Sequence, residues 1–386
     1  MWKLMTDDAI SEHERKELAD FILFTDKLTQ GNTVKEFEEQ WSKWLGCKYS
    51  IFVNSGSSAN LMLVRAIHSM NKKDNPSWVS QACTWSTTIS PILQNGGGLH
   101  LCDVDLTNFS PDLLQLETIF NKQKVEYLFL THLLGFPSMS DDLLTLCEKY
   151  GVTLLEDCCE AHGASFKGKK VGNFGIGSSF SFFYGHHMTT IEGGMVCTND
   201  EDLYHELLLL RSHGLLRELP SHERQNRQVE GVHPAFCFLR DGYNLRNTEI
   251  NAKLGLMQLK GLDGNIEYRN RILSLFINSL DPRLFRTNFN TDGCSNFALP
   301  VFAKHPGLID KVEKTLSHLG VEYRPCVAGN LHRHPLTDNV PNIYKDSNVE
   351  DIHKNCMYIG NHKDVKESQV SYLCRKLNEL KVDHKL

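Results

Sequence analysis

The apolar positions of residues 34–45 recur at helical spacing, with Phe37, Trp41, Trp44 and Leu45 on one face, and residues 7–24 form a second, more charged amphipathic stretch. Both predict helices, and core packing accounts for the tryptophans. From residue 49 the pattern changes to short apolar runs separated by helix-length stretches. Tyr49–Val53, the surroundings of Val79, Leu99–Asp103, Tyr127–Leu130 and Val152–Asp157 read as strands. The stretch ending at Met70, Leu113–Asn121 and Asp141–Tyr150 read as helices between them. Strands separated by helices of this length predict parallel β-α-β units in a doubly wound sheet. A helix at 201–212 closes this half. Residues 213–246 are irregular and rich in His and Arg, and residues 247–280 read as helices broken near Gly261–Gly264. From about Ser295 a smaller α+β unit is expected, with strands at 297–302 and 322–324 and helices at 307–319, 348–356 and 366–380. The expected division is residues 1–246 as a large α/β domain with N-terminal helices, and 247–386 as connecting helices and a smaller C-terminal α+β domain.

Composition narrows the class without changing this picture. A chain of 386 residues, 41% hydrophobic and 23% charged, is an ordinary globular protein able to bury a sizeable core. A net charge of -6 and a pI near 6.3 argue against coating nucleic acid. No run of about 18 apolar residues predicts a membrane span, and the N-terminus turns acidic with no apolar signal-like segment. The 12 cysteines include no CxxC pair and read as reduced thiols of a cytoplasmic protein.

Four places carry candidate chemistry. Asn54–Asn60 links a strand to a helix; such a turn offers backbone N–H groups, a positive dipole end and the hydroxyls of Ser57 and Ser58 to a phosphate. Serines before a helix are equally N-caps. Asp157 ends an apolar strand, where open α/β sheets bind ligands, although a helix cap would also place an Asp there. Trp85 could stack on an aromatic ligand or belong to the core. The fourth place is Ser181-Phe182-Phe183-Tyr184-Gly185-His186-His187-Met188-Thr189-Thr190-Ile191-Glu192-Gly193-Gly194.

That last stretch resembles the cofactor-lysine segment of the sugar aminotransferase (DegT/DnrJ/EryC/StrS) family, in which Ser, four residues, Lys, two residues and Thr-Thr precede Glu-Gly-Gly. Here His186 stands where the family keeps lysine. Glu156-Asp157-Cys158-Cys159-Glu160-Ala161-His162-Gly163 matches a second family motif, and Gly242-Tyr243-Asn244 with Leu245-Arg246 a third. With the Ser-Gly-Ser turn and Trp85, five motifs fall in order between about Gly31 and Pro335. The resemblance implies a fold type I aminotransferase-like α/β fold: a mostly parallel sheet flanked by helices, plus a smaller C-terminal α+β domain. It implies pyridoxal 5'-phosphate or its amine form as cofactor. Gly56, Ser57 and Ser181 would then hold the phosphate, Asp157 the pyridine nitrogen and Trp85 the ring face, with Glu160 near the ring hydroxyl. Asn244 would reach the phosphate of a neighbouring subunit, which implies a homodimer. His213, Arg246, Arg324 and Asn330 are the substrate-side candidates by the same likeness.

Imidazole cannot tether the cofactor aldehyde covalently as a lysine amine does, but it is a good general base near neutral pH. The histidine variant resembles the 3-dehydratase branch of dideoxysugar synthesis. The expected reaction is removal of the C3 hydroxyl from a nucleotide-linked 4-keto-6-deoxy sugar, GDP-linked by that likeness, with His186 as base and L-glutamate recharging the cofactor. The alternatives are an aminotransferase using another lysine (Lys167, Lys169 or Lys170), a CDP-sugar dehydratase with an iron–sulfur cluster on some of Cys237, Cys294, Cys326, Cys356 and Cys374, and a catalytically inactive cofactor-binding sensor. Successive side chains of an extended segment face opposite ways. His187 is therefore expected to be structural, and no metal site is expected.

Overall fold

The computed structural model describes residues 1–71, 73–342 and 347–382. Helix α1 (Glu12–Phe24) starts later than the apolar pattern because Ser11 caps it: Ser11 Oγ accepts from Glu14 N at 3.3 Å while Glu14 Oε2 accepts from Ser11 N at 2.7 Å. Helix α2 (Asn32–Leu45) buries Val34, Phe37, Trp41 and Leu45 and ends at Gly46, whose φ of 89° suits glycine. The large unit continues through β1 (Tyr49–Val53), α3 (Gly56–Asn71), β2 (Ser77–Gln81), α4 (Ser86–Gln94), β3 (Gly98–Cys102), α5 (Leu113–Gln123), β4 (Tyr127–Thr131), α6 (Asp141–Tyr150) and β5 (Thr153–Asp157). A small hairpin, β6 (Ser165–Phe166) and β7 (Lys169–Lys170), precedes β8 (Gly177–Ser181), β9 (Gly194–Thr198) and α7 (Glu201–Arg211). The arginine-rich connection contains α8 (Ser221–Asn226), and α9 (Glu249–Leu259) and α10 (Leu262–Ser279) lead onward. The smaller unit comprises β10 (Ala298–Phe302), α11 (Leu308–Leu319), β11 (Tyr323–Pro325), α12 (Asn348–Asn355), β12 (Cys356–Gly360) and α13 (Glu367–Asn378).

Seven strands form one sheet in the order β1-β9-β8-β5-β4-β2-β3. Pairing is parallel throughout except at β9, which opposes both β1 and β8. The expected mostly parallel sheet is met, and β9, which the apolar pattern does not mark, is its one reversed strand: the chain turns back after Ser181 instead of crossing over through a helix. Because β1 and β8 both oppose β9, they run with β5, and the carboxyl ends of β1, β2, β5 and β8 share one edge. Open α/β sheets bind ligands outside that edge.

Alternate residues of β1 divide the core. Ile51 and Val53 pack on the face covered by α3 and α7, and Phe52 joins Phe37, Trp41, Phe180 and Phe182 on the other. Trp41 meets Phe182 at 4.8 Å and Phe180 at 5.2 Å between ring centroids, both edge-on. Each such side chain contributes roughly 1.5–3 kcal/mol by burial, so the ends of β8 and the segment after it are anchored from beneath. The smaller sheet runs β10-β12-β11, all antiparallel. Its central strand begins at Cys356, where the apolar pattern suggests the end of a helix; α12 and β12 adjoin without a turn residue between them. Among the described residues no helix is long and apolar enough to cross a membrane.

Candidate active site

Asp157, at the end of β5, is 4% exposed. Its Oδ2 accepts from Asn60 Nδ2 (2.9 Å) and Thr88 Oγ1 (2.7 Å), and its Oδ1 accepts from Cys159 N (3.1 Å). Asn60 is turned toward Asp157 because its own oxygen accepts from Ser179 Oγ. The adjacent Glu156 points to the opposite face. Burial alone would raise its pKa, but His132 and the amides of Gly172 and Gly175 hold it below the usual carboxylate range. With Phe174 N also donating, the Glu156–His132 pair has its hydrogen bonds filled and fixes the strand's register. Glu160 accepts from Leu134 N at 2.7 Å, and burial pushes its pKa up to about 7.

The turn after β1 brings the N-terminus of α3 against the end of β8. The first amides of a helix lack intrahelical acceptors and point outward. Ser55 caps α3 by accepting from Ser58 N at 3.0 Å, and Ser57 Oγ reaches Thr87 Oγ1 at 3.1 Å. A Cβ on Gly56 would stand 2.5 Å from Ser181 Cβ, so only glycine permits this approach. Trp85 precedes α4 and leaves its indole 55% exposed, unusual for so large an apolar group.

His186 closes the site. Its segment is a turn, with His186 N donating to Phe183 O at 3.0 Å, not the extended run that the facing argument assumes. The turn still separates the two histidines. His187 is buried between Ser295 O (3.0 Å from Nε2) and His162 Nδ1 (3.2 Å from Nδ1), whereas the His186 ring packs on Phe297 at 5.1 Å. Nδ1 of His186 is buried with no partner. Burial first, then the nearby Arg269 guanidinium, pushes the His186 pKa down to about 3.

One cavity of about 380 Å³ gathers Gly56, Ser57, Trp85, Asp157, Glu160, Ser181 and His186. Sequence reasoning assigned no site role to its other walls: Ser55, Asn60, Thr87, Thr131, Leu133, Cys159, Phe183, Glu192, Phe297 and Tyr358. Asn60, one helical turn beyond Gly56, was legible by spacing alone. Phe297 and Tyr358 come from the smaller unit and carried no signal. The substrate-side candidates lie outside this cavity. Arg246 donates to Asn244 Oδ1 at 3.0 Å and lies 3.4 Å from His213 Nε2, and this trio stands beside the end of β1, where Val53 bridges Arg246. Arg324 is exposed on β11 and donates to Tyr323 O. The side chain of Asn330 is 7% exposed and committed to Glu350 (3.1 Å) and to His332 N (3.0 Å).

No lysine lines the cavity among the described residues. Lys167 pairs with Asp141, Lys169 covers Phe174 and Lys170 covers Trp44, all on the β6–β7 hairpin. All 12 cysteines are free. Cys326 and Cys356 are joined through the backbone, Cys326 N donating to Cys356 O at 3.1 Å, and the described residues show no cluster of four thiols.

This edge-bound cavity, with a fixed carboxylate, a helix N-terminus and an exposed indole, belongs to a recognised class. The chain is a member of the DegT/DnrJ/EryC1/StrS aminotransferase family, which it matches over residues 9–378. Within that family it is 32% identical over 378 residues to the GDP-4-keto-6-deoxy-D-mannose 3-dehydratase of Yersinia pseudotuberculosis, covering 95% of this chain and 96% of the relative. The E. coli GDP-4-keto-6-deoxy-D-mannose-3-dehydratase with bound hydrated PLP superposes with a TM-score of 0.91 at 30% identity, over 98% of this chain and 99% of that one. A GDP-4-keto-6-deoxymannose-3-dehydratase with a trapped PLP-glutamate geminal diamine gives 0.90 at 30% identity, over 98% and 100%. The architecture is that of fold type I pyridoxal-phosphate enzymes.

Proposed function

We propose that this protein removes the C3 hydroxyl of a nucleotide-linked 4-keto-6-deoxy sugar, GDP-4-keto-6-deoxy-D-mannose by likeness to its relatives, using pyridoxal/pyridoxamine 5'-phosphate and L-glutamate. The observation that carries this reading is a histidine, with no lysine beside it, in a cavity otherwise built for that cofactor. The fit rests on Gly56 allowing close approach, on the carboxylate of Asp157 held by three donors, and on the open indole of Trp85. When bound as the amine, the cofactor supplies the nitrogen that joins the sugar ketone and an electron sink for the elimination.

The chain's own residues divide the remaining work. Gly56, Ser57 and Ser181, with the N-terminus of α3, bind the phosphate. Asp157 pairs with the protonated pyridine nitrogen, Trp85 covers one face, and Glu160 stands by the ring hydroxyl. His186, neutral at working pH, accepts a proton at its ring. Its lowered pKa corrects the expectation of a base matched to neutral pH: the buried ring is a weak base, helped by its position, and its imidazolium is a strong acid that passes the proton to the departing C3 hydroxyl. With no amine at this position to return a proton to C4, loss of hydroxyl wins over transamination. Asn244 of one protomer reaches the phosphate bound in its partner, so the working unit is a homodimer. Beside it, His213 and Arg246 meet the nucleotide sugar, as does Arg324, and Asn330 acts through the turn it caps.

Each turnover converts one glutamate to one 2-oxoglutarate, releases one ammonia and leaves a sugar lighter by one oxygen atom. Incubation with glutamate and GDP-, CDP-, UDP- and dTDP-linked 4-keto sugars tests this. The GDP sugar should give ammonia and 2-oxoglutarate in equal amounts. An amino sugar without ammonia would mark a transaminase, and no turnover a sensor.

A further inference from the structure

Behind the His186 turn lies a cation that the reaction scheme above does not use. Arg269, on α10, is 3% exposed. Its Nη2 donates to the His186 carbonyl at 3.0 Å and its Nη1 to the Phe297 carbonyl at 2.9 Å. Its Nε faces Asn265 Oδ1 at 3.4 Å. Asn265, one turn earlier on the same helix face, donates to the His187 carbonyl. Thus α10 grips the backbone of both histidines and of Phe297, whose ring packs on the His186 imidazole. No carboxylate of the described residues pairs with Arg269, and a buried unpaired cation is costly to keep.

Catalytic imidazoles are commonly oriented by a carboxylate, which favours the charged ring. Here no carboxylate bonds the ring, and the charge nearby is a cation held on the His186 backbone. We infer that Arg269 is the positioning residue for His186: it fixes the ring from behind through the His186 and Phe297 carbonyls and sets a buried positive charge at its back. This rests on His186 being the base. A proton taken up by His186 then has no resting place and moves on to the leaving hydroxyl. Other titratable groups also face this ring or the two cavities it borders. They are His162 and His187 behind it, Asp157, Cys159, Glu160, Glu192 and Tyr358 on the cofactor side, and Glu14, Tyr184, Tyr268, His362 and Lys363 on the far side. Arg269 is the one that bonds to the His186 backbone.

Histidine-labelled, cofactor-free protein titrated by NMR tests the charge effect without turnover. The wild-type His186 signal should stay neutral down to about pH 5, whereas Arg269→Gln, which keeps a donor but no charge, should raise its midpoint by about one unit or more. Arg269→Lys keeps the charge and loses the two-point grip. Its midpoint should stay near wild type while kcat falls about tenfold or more with KM little changed. An unshifted midpoint in folded Arg269→Gln would overturn the charge role. Normal kcat in Arg269→Lys would overturn the grip, and it remains readable if the Gln variant fails to fold. Failure of wild-type protein to release 2-oxoglutarate and ammonia would instead strike the dehydratase reading and leave the titration standing.

Discussion

Gly56→Ala perturbs the proposed cofactor cradle by a single methyl group. Gly56 has no positive φ, so alanine meets no backbone strain there; the constraint is space. The added Cβ falls 2.5 Å from Ser181 Cβ, 3.0 Å from Ser181 Oγ and 3.1 Å from Cys159 Sγ. Ser181 Cβ cannot swing away, because Ser181 is the last residue of β8 and pairs with Gly194 on β9. The start of α3 must therefore retreat from the strand. Overpacking of this kind costs about 1–3 kcal/mol. If the retreat falls on the phosphate contacts, cofactor affinity drops by roughly 5- to 150-fold. Gly264→Ala is the control: nothing lies within 4 Å of its added methyl and it sits in α10, so it should be neutral or slightly stabilising. Titration with pyridoxamine phosphate, followed by absorbance and by thermal shift, reads both variants. Gly56→Ala binding the cofactor as tightly as wild type, with no loss of melting temperature, would refute the close-approach reasoning.

Asp157→Asn keeps the volume but removes the charge, and should weaken cofactor binding by about 1.5–3 kcal/mol, or roughly 10- to 150-fold; undiminished binding by isothermal calorimetry would exclude the pyridine-nitrogen role. Glu160 has a folded pKa of about 7 against an ordinary 4.5. Across that window the folded, cofactor-free chain binds more protons than the unfolded one, so this group lowers stability as pH rises through it. Glu160→Gln should therefore gain over wild type by an amount on the order of 3 kcal/mol more at about pH 8 than at about pH 5, and a pH-independent difference in urea midpoints would contradict it. Co-expression of His186→Asn and Asn244→Ala chains should restore activity that neither variant has alone, since one site of each mixed dimer is intact. Additive inactivity would place Asn244 outside its partner's site.

Much of the architecture was legible because its signals are local. The helix of Phe37 and Trp41, the apolar strand Tyr127–Thr131 and the run ending in Asp157 each state their burial in their own residues. The seven cavity residues found from motifs sit at the carboxyl ends of strands, in the turns that follow them or at helix starts, where the fold leaves side chains free to bind. What escaped was set by distant partners. Strand β9 has no mark of its reversed direction, because an interior strand buried on both faces looks alike in either sense. Tyr358 and Phe297 enter the cavity through packing of the smaller unit, and Arg269 faces His186 across 83 residues of chain. The pairing of Asn330 with Glu350 was equally invisible: a turn asparagine looks the same whether it caps or binds.

The central claim is that His186 is the base whose presence, in place of an amine, turns the reaction to loss of hydroxyl. It is tested most directly by presenting pyridoxamine-phosphate-loaded wild-type and His186→Asn protein with GDP-4-keto-6-deoxy-D-mannose and following ammonia and the deoxygenated sugar in one turnover. The account predicts that wild type releases both in equal amounts, while the asparagine variant retains the cofactor and releases neither. Product formation by His186→Asn at the wild-type rate would contradict it.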